Sequence, residues 1–201
     1  MRNSTWLGFA SLTLVACGSA EGIDDSALPV TPEGPSFAPY ADDGRTVAWV
    51  DPARYIGLWY EIATTGSFQQ GGCAGTTARY TPLDEVTLEV YNRCLRGGLD
   101  GPVSEITGTA TTTDATFSRL LVDFGFGFAA PYDIVERDDA TGEAPYAFAA
   151  VSSFDGAQLW ILAREPSMEA DLYESLVSRL EARGYEDPRG RLTPTEHASG
   201  E

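Results

Sequence analysis

The chain contains no lysine and a single histidine, His197, near its C-terminal end. Ser-His-Asp and Cys-His chemistry needs an imidazole held inside the fold as a proton shuttle, which a tail histidine does not offer. Histidine-rich zinc or iron sites are excluded for the same reason, and a Ser-Lys dyad has no lysine to use. Positive charge is scarce: 13 arginines stand against 30 acidic residues, a formal net charge of −17. A surface this acidic repels phosphate backbones and anionic head groups, which argues against nucleic acid as a partner. Carboxylate chemistry remains open, and Glu61, Asp123 and Asp133 fall within strand-like segments. Strand alternation puts every second residue on the solvated face, and a solvated acid is the simpler account of each.

Apart from one run, the chain also lacks long hydrophobic stretches. That run, "WLGFASLTLVA", follows Arg2 within residues 1–16 and has the length of a signal peptide, too short for a membrane-spanning helix. It ends in Leu14-Val15-Ala16-Cys17, which resembles the bacterial lipobox, where the cysteine is acylated and becomes the mature N-terminus. The alternative is an ordinary signal peptide with a chance cysteine. Gly18 stands where an inner-membrane retention signal carries Asp, so Cys17 points to an outer-membrane anchor, and several acyl chains on one residue hold firmly. Residues 17–46 are rich in Pro, Gly, Ser, Ala and Asp, the composition of a tether. The folded part is expected over 47–194, with a disordered tail at 195–201.

From Gly57 onward, short alternating segments are separated by turn residues. Strands are expected near 57–64, 74–81, 86–94, 104–111, 116–124, 131–137, 145–152 and 158–164. Leu172, Tyr173, Leu176, Val177 and Leu180 then recur at helical spacing, with Pro166-Ser167 as cap and Gly184 as stop. The expected fold is all-β: an eight-stranded antiparallel up-and-down β-barrel with one C-terminal α-helix packed outside. Eight strands enclose room for one small ligand. With Pro82–Glu85 as the turn of the second hairpin, opposed residues sum to 167, which sets Cys73 against Cys94 as a cross-strand disulfide. Two free thiols, one of them reactive, are the alternative.

Two motifs about a hundred residues apart now carry a resemblance. Arg54-Tyr55-Ile56-Gly57-Leu58-Trp59-Tyr60-Glu61-Ile62-Ala63 resembles the opening of bacterial lipocalins and apolipoprotein D. Leu159-Trp160-Ile161-Leu162-Ala163-Arg164-Glu165-Pro166 resembles the last strand of the same branch. Tyr80-Thr81-Pro82-Leu83, Tyr91-Asn92-Arg93-Cys94 and "DFGFGFAAPYDIV" fit between them, with Pro131 where the family often has Asp. The resemblance implies that Trp59 packs at the closed end of the barrel, that Arg164 lies across it, and that Gly57 admits the close approach.

It also implies a hydrophobic or lipid ligand, such as a fatty acid or lysophospholipid, held in the barrel of a non-enzymatic protein. No cofactor and no metal are implied, and a homodimer is compatible. Phe124, Phe126 and Phe128 are then the first ligand contacts, with Phe68 in a lid over the mouth. Tyr80, Tyr91, Tyr132 and Tyr146 are candidates for inward hydroxyls facing a head group, although wall packing also accounts for each. The expected setting is the bacterial envelope, at the outer membrane and facing the periplasm. Two other readings stay open: an isomerase-like enzyme using a free cavity cysteine, or an envelope interaction module with a filled barrel.

Overall fold

Alternation of inward and outward side chains is visible in β1 (Gly57–Thr64), where Trp59, Glu61 and Ala63 are buried and their neighbours are not. The same period runs through β2 (Cys73–Pro82) and β3 (Thr87–Arg96), as a half-solvated antiparallel sheet requires. A computed structural model of the chain describes residues 44–66 and 72–198. The signal peptide, Cys17, Phe68 and the last three residues lie outside the described residues.

The sheet continues through β4 (Val103–Thr112), β5 (Arg119–Asp123), β6 (Ala129–Arg137), β7 (Phe148–Ser153) and β8 (Gln158–Ala163). Each strand pairs antiparallel with the next, and β1 closes the ring by pairing with both β2 and β8. The fold is therefore a closed eight-stranded up-and-down barrel. Its long helix, α2 (Ala170–Ala182), lies outside, burying Leu176, Val177 and Leu180 against Val135, Phe148, Ala150, Leu159 and Ile161. Glu136 on β6, itself buried, is paired with Arg183 at 2.6 Å and Arg179 at 3.2 Å, which fastens α2 to the wall. Among the described residues no helix is long and apolar enough to cross a membrane.

Five local expectations need correction. Ser167 does not cap α2; the cap position is Glu169, without a side-chain hydrogen bond, while the stop at Gly184 closes with Tyr185 N–H on Leu180 O and Gly184 N–H on Glu181 O. The strand expected from 116 starts at Arg119, because Thr116 N–H bonds Asp114 Oδ1 and Phe117 turns at φ 56°. The strand expected from 145 starts at Phe148, because Tyr146 N–H is held by Arg54 O instead of the sheet.

The hairpin register is shifted by three residues from the one expected. Tyr80 faces Val90 and Pro82 faces Leu88, the turn falls after Pro82, and Leu83 N–H closes it on Thr87 O. A bulge between Ala74 and Thr77 takes up part of the shift, so that Cys73 faces Arg96. Cys73 and Cys94 are nevertheless bonded, diagonally across the strands, with Cα atoms 5.6 Å apart. Finally, the chain past 194 is not free of the barrel. After the two-residue β9 (Thr193–Pro194) on β1, Thr195 N–H bonds Ile62 O, Glu196 O accepts Gly75 N–H, and His197 packs edge-on to Tyr60. At the other boundary the fold takes in Arg45, whose guanidinium lies over Tyr185 and pairs with Asp155.

One end of the barrel is shut by side chains. Arg164 lies over Trp59, with its guanidinium carbon 3.7 Å from the ring centroid. Its nitrogens donate to five carbonyls: Tyr146, Leu58, Arg54, Tyr55 and Ile56, at 2.6–3.1 Å. These carbonyls belong largely to the turn through α1 (Pro52–Tyr55), capped by Asp51, which delivers the chain into β1. The turn is tight enough that Gly57 adopts φ 100°, and a methyl group there would lie 3.3 Å from an Arg164 nitrogen. Gly57→Ala is expected to cost about 1–2 kcal/mol, through the left-handed backbone and the displaced guanidinium. An unchanged urea midpoint for that variant would show the position to be slack.

Candidate ligand-binding cavity

Opposite the plugged end, the strands surround a cavity of about 670 Å³. Its wall comes from the inward positions of the barrel: Val90 on β3, Val122 on β5, Ala130 on β6, Val151 on β7 and Leu162 on β8. A space of this size, mostly apolar with a few polar groups, is the usual form of a small-molecule site.

The mouth is aromatic. The turn joining β5 to β6 carries Phe124, Phe126 and Phe128, all bordering the cavity. Asp123 fixes the turn by accepting Gly125 N–H at 2.7 Å, and Gly125 and Gly127 take positive φ, which lets three phenylalanines share five residues. Phe124 is partly buried against the barrel core, whereas Phe126 and Phe128 are 55% and 59% exposed. Phe154, in the β7–β8 turn, adds a fourth aromatic at the mouth with 47% exposure.

The floor is made of tyrosines. Tyr80 and Tyr132 both border the cavity, and their hydroxyls are 2.7 Å apart. Tyr132 makes a second 2.7 Å contact with the hydroxyl of Tyr55, which lies beneath, 5.1 Å from Trp59 between ring centroids. Burial pushes all three phenols up, Tyr80 to about 12, so each is a neutral hydroxyl at physiological pH.

Tyr91 and Tyr146 sit elsewhere. Tyr91 points to the outer face, where its hydroxyl donates to Glu105 Oε2 at 2.5 Å. That bond raises its pKa, with burial a smaller cause. Tyr146 is fully buried at the plugged end, stacked by Arg54 and Arg137 at 4.1 and 5.1 Å, and its hydroxyl accepts Asp51 N–H. Neither borders the cavity.

The three acids are likewise apart. Glu61 borders the cavity and accepts from Thr195 Oγ1, Asp123 builds the phenylalanine turn, and Asp133 faces Arg119 across β5–β6. No two of them converge as a catalytic pair would.

Several lining residues were not singled out from sequence, among them Trp160, Phe154, Asn92 and Thr76. Strand parity contains the signal for two of them. Trp160 shares its face with Leu162, and Asn92 shares its face with Val90, an inward row in which a polar residue stands out.

The sequence profile of the Lipocalin-like domain family matches residues 50–194, spanning the barrel and its helix. The chain belongs to the lipocalin family. Its relatives include R877 of Acanthamoeba polyphaga mimivirus, 33% identical over 145 residues, which cover 68% of this chain and 80% of that one. The outer membrane lipoprotein Blc of Escherichia coli K12 is 29% identical over 137 residues, covering 68% of this chain and 74% of its own. Together with the two motifs read above, this places the lipocalin on the branch of Blc and apolipoprotein D. Insecticyanin from the tobacco hornworm Manduca sexta has the same fold, with a TM-score of 0.59 at 18% identity over 77% of this chain and 84% of its own. As a lipocalin, the protein has the barrel of a family that binds and carries hydrophobic ligands.

Proposed function

We propose that this lipocalin binds and carries a lipid, a fatty acid, lysophospholipid or similar amphiphile, within its barrel. The observation that carries the reading is the cavity of about 670 Å³ with an apolar wall and a phenylalanine mouth. An acyl chain gains roughly 0.8 kcal/mol for each methylene it buries there. Phe124, Phe126 and Phe128 grip the chain where it enters, Phe68 is a further proposed ligand contact, and Tyr80 and Tyr132 meet its deep end.

The same reading places the protein in the bacterial envelope. Residues 1–16 direct export, Cys17 carries the acyl anchor, and the chain between Cys17 and Gly44 tethers the barrel to the outer membrane on its periplasmic side. The Blc relative, named as an outer membrane lipoprotein, supports this setting. The role that follows is lipid storage, transport or membrane maintenance under stress, by a single barrel or a homodimer.

The cavity-cysteine enzyme is the weaker reading, because Cys94, which borders the cavity, is bonded to Cys73 and offers no thiolate. An interaction module with a filled barrel fits poorly with so large an open space.

Lipid binding is tested by lipid extraction and mass spectrometry of the natively purified protein, followed by titration with brominated fatty acids. Trp160 borders the cavity and Trp59 is sealed beneath Arg164. The titration is therefore expected to quench the Trp160 emission, lost in Trp160→Phe, and to spare that of Trp59. A protein that neither retains lipid nor shows quenching is not a lipid carrier.

A further inference from the structure

One wall of the cavity carries a polar group at each level from floor to mouth, and an unadorned acyl chain does not satisfy them. On β2 and β3, Tyr80 faces Val90 at the floor and Ala78 faces Asn92 one inward row higher, about 7 Å along the strands. Thr76, the next inward residue of β2, lies above that. All border the cavity. Thr76 is 4% exposed, and its Oγ1 has no hydrogen-bond partner among the described residues. The Oδ1 of Asn92 is buried and equally unpartnered. A buried polar atom without a partner is costly, and such atoms in a cavity wall point to what the cavity receives.

The floor carries a third vacancy. Tyr55, Tyr132 and Tyr80 share two hydroxyl contacts among three hydroxyl hydrogens. Two hydrogens are used between the rings and one is left over. Either hydroxyl of each pair can donate, and a ligand acceptor at Tyr80 selects the run Tyr55 to Tyr132 to Tyr80, which leaves the spare hydrogen on Tyr80, the terminal member that borders the cavity. Burial keeps that phenol protonated, so it remains a donor. Opposite this wall, Val122, Ala130, Val151 and Leu162 offer apolar surface, and the polar Ser153 and Gln158 stand paired at the mouth end, Ser153 with its hydroxyl already donated to Pro131 O.

Donor and acceptor therefore sit on one side: Tyr80 O–H to give, Asn92 Oδ1 to receive, and Thr76 Oγ1 able to do either. A hydroxyl both donates and accepts, so it answers each of them; a carbonyl answers only the donors. A carboxylate at the floor would find one spare hydrogen where an ion needs several. We propose that the cavity is built for a hydroxylated lipid, bound with its hydroxyl-bearing edge against Tyr80, Asn92 and Thr76 and its apolar edge against β5–β8. This rests on the barrel being the ligand site, and it names the chemistry of that ligand.

The test compares matched probes by tryptophan fluorescence: hexadecanoate against 16-hydroxyhexadecanoate, and octadecanoate against its 9-, 10- and 12-hydroxy analogues. An ω-hydroxy series from ten to sixteen carbons varies the reach to the floor. At least one hydroxylated probe is expected to bind about 5–10-fold tighter than its parent, the worth of one buried hydrogen bond. In Asn92→Leu or Tyr80→Phe that ratio is expected to fall toward one, according to the position of the hydroxyl, with folding checked by urea midpoint. Equal affinity of parent and hydroxylated probes at every position and length overturns the proposal and leaves lipid binding standing. A ratio that survives in both variants overturns it too. If no probe binds at all, the lipid-binding reading falls and this one falls with it.

Discussion

Arg164→Ala is expected to lower the unfolding free energy by about 3 kcal/mol and the thermal midpoint by about 10 °C. Two losses combine. The guanidinium gives up its position 3.7 Å over the Trp59 ring, worth up to roughly 2 kcal/mol where water is excluded. Five carbonyls, those of Leu58, Arg54, Tyr55, Ile56 and Tyr146, lose their donor together. Desolvation draws the Arg164 pKa down, but a guanidinium remains charged, so these are charge-assisted bonds. The side chain is only partly enclosed, and water re-solvates some of the carbonyls, which holds the estimate below the sum of the parts.

Arg164→Lys separates the two contributions. An ammonium restores the charge but not the planar fork, and it cannot reach five carbonyls spread over an entry turn and a neighbouring loop. It is expected to recover less than half of the loss. Trp59→Ala removes the ring from the other side and is expected to cost about 3–5 kcal/mol, as a fully buried aromatic does. Urea denaturation with a lipid titration on each folded variant decides the matter. Unchanged midpoints combined with weakened lipid binding would place Trp59 and Arg164 in the ligand site and defeat the closing role.

The contrast between the two ends of the barrel explains what was legible in the sequence. The plugged end depends on a few residues of unusual type, Gly57, Trp59 and Arg164, and the two family motifs that contain them made it legible. Strands such as β1, β2 and β3 were legible because each has one wet face and one dry face, whereas β7 is buried on both. Tyr91 and Asn92 show where that logic falters. Adjacent in sequence, they point to opposite faces; the inward row of Leu88 and Val90 marks the face of Asn92, and the register fixes which face of β2 that row joins. The register in turn depended on a turn and on a bulge at Ala74–Thr77 that alternation does not encode. With opposed residues summing to 167, Tyr91 shares a face with Tyr80; the observed register puts Val90 and Asn92 on that face instead. Tyr146 was misplaced for another reason: the loop before β7 is held by Arg54 and Asp51 from the start of the domain, contacts about ninety residues away in the chain.

The tyrosine floor makes the fold sensitive to alkali. Tyr55, Tyr80 and Tyr132 all have pKa values raised above the ordinary 10 by burial, and Tyr80 reaches about 12. Between pH 10 and 12 the unfolded chain releases these protons and the folded chain keeps them, so the folded state binds more protons and stability falls as pH rises. Below pH 10 both states hold their protons and the group contributes no slope. Tyr80 alone removes roughly 1 kcal/mol per pH unit across that window, about 2 kcal/mol by pH 12. Tyr55 and Tyr132 act in the same direction.

The expected result is a urea midpoint that falls steeply above pH 10, with buried tyrosinate absorbance appearing only as the protein unfolds. The acidic surface adds a general slope of its own, so the decisive measurement is a difference between proteins. Tyr132→Phe is expected to lose about 1–3 kcal/mol at neutral pH, because it strips Tyr55 and Tyr80 of their shared partner. Its alkaline slope should nonetheless be shallower by one tyrosine. If the wild type holds its midpoint through pH 11 while all of its tyrosines titrate together near 10, then the floor is open to water. A wet floor would also let water fill the vacancies at Tyr80, Asn92 and Thr76, so this titration bears on the hydroxylated-lipid proposal before any lipid is added.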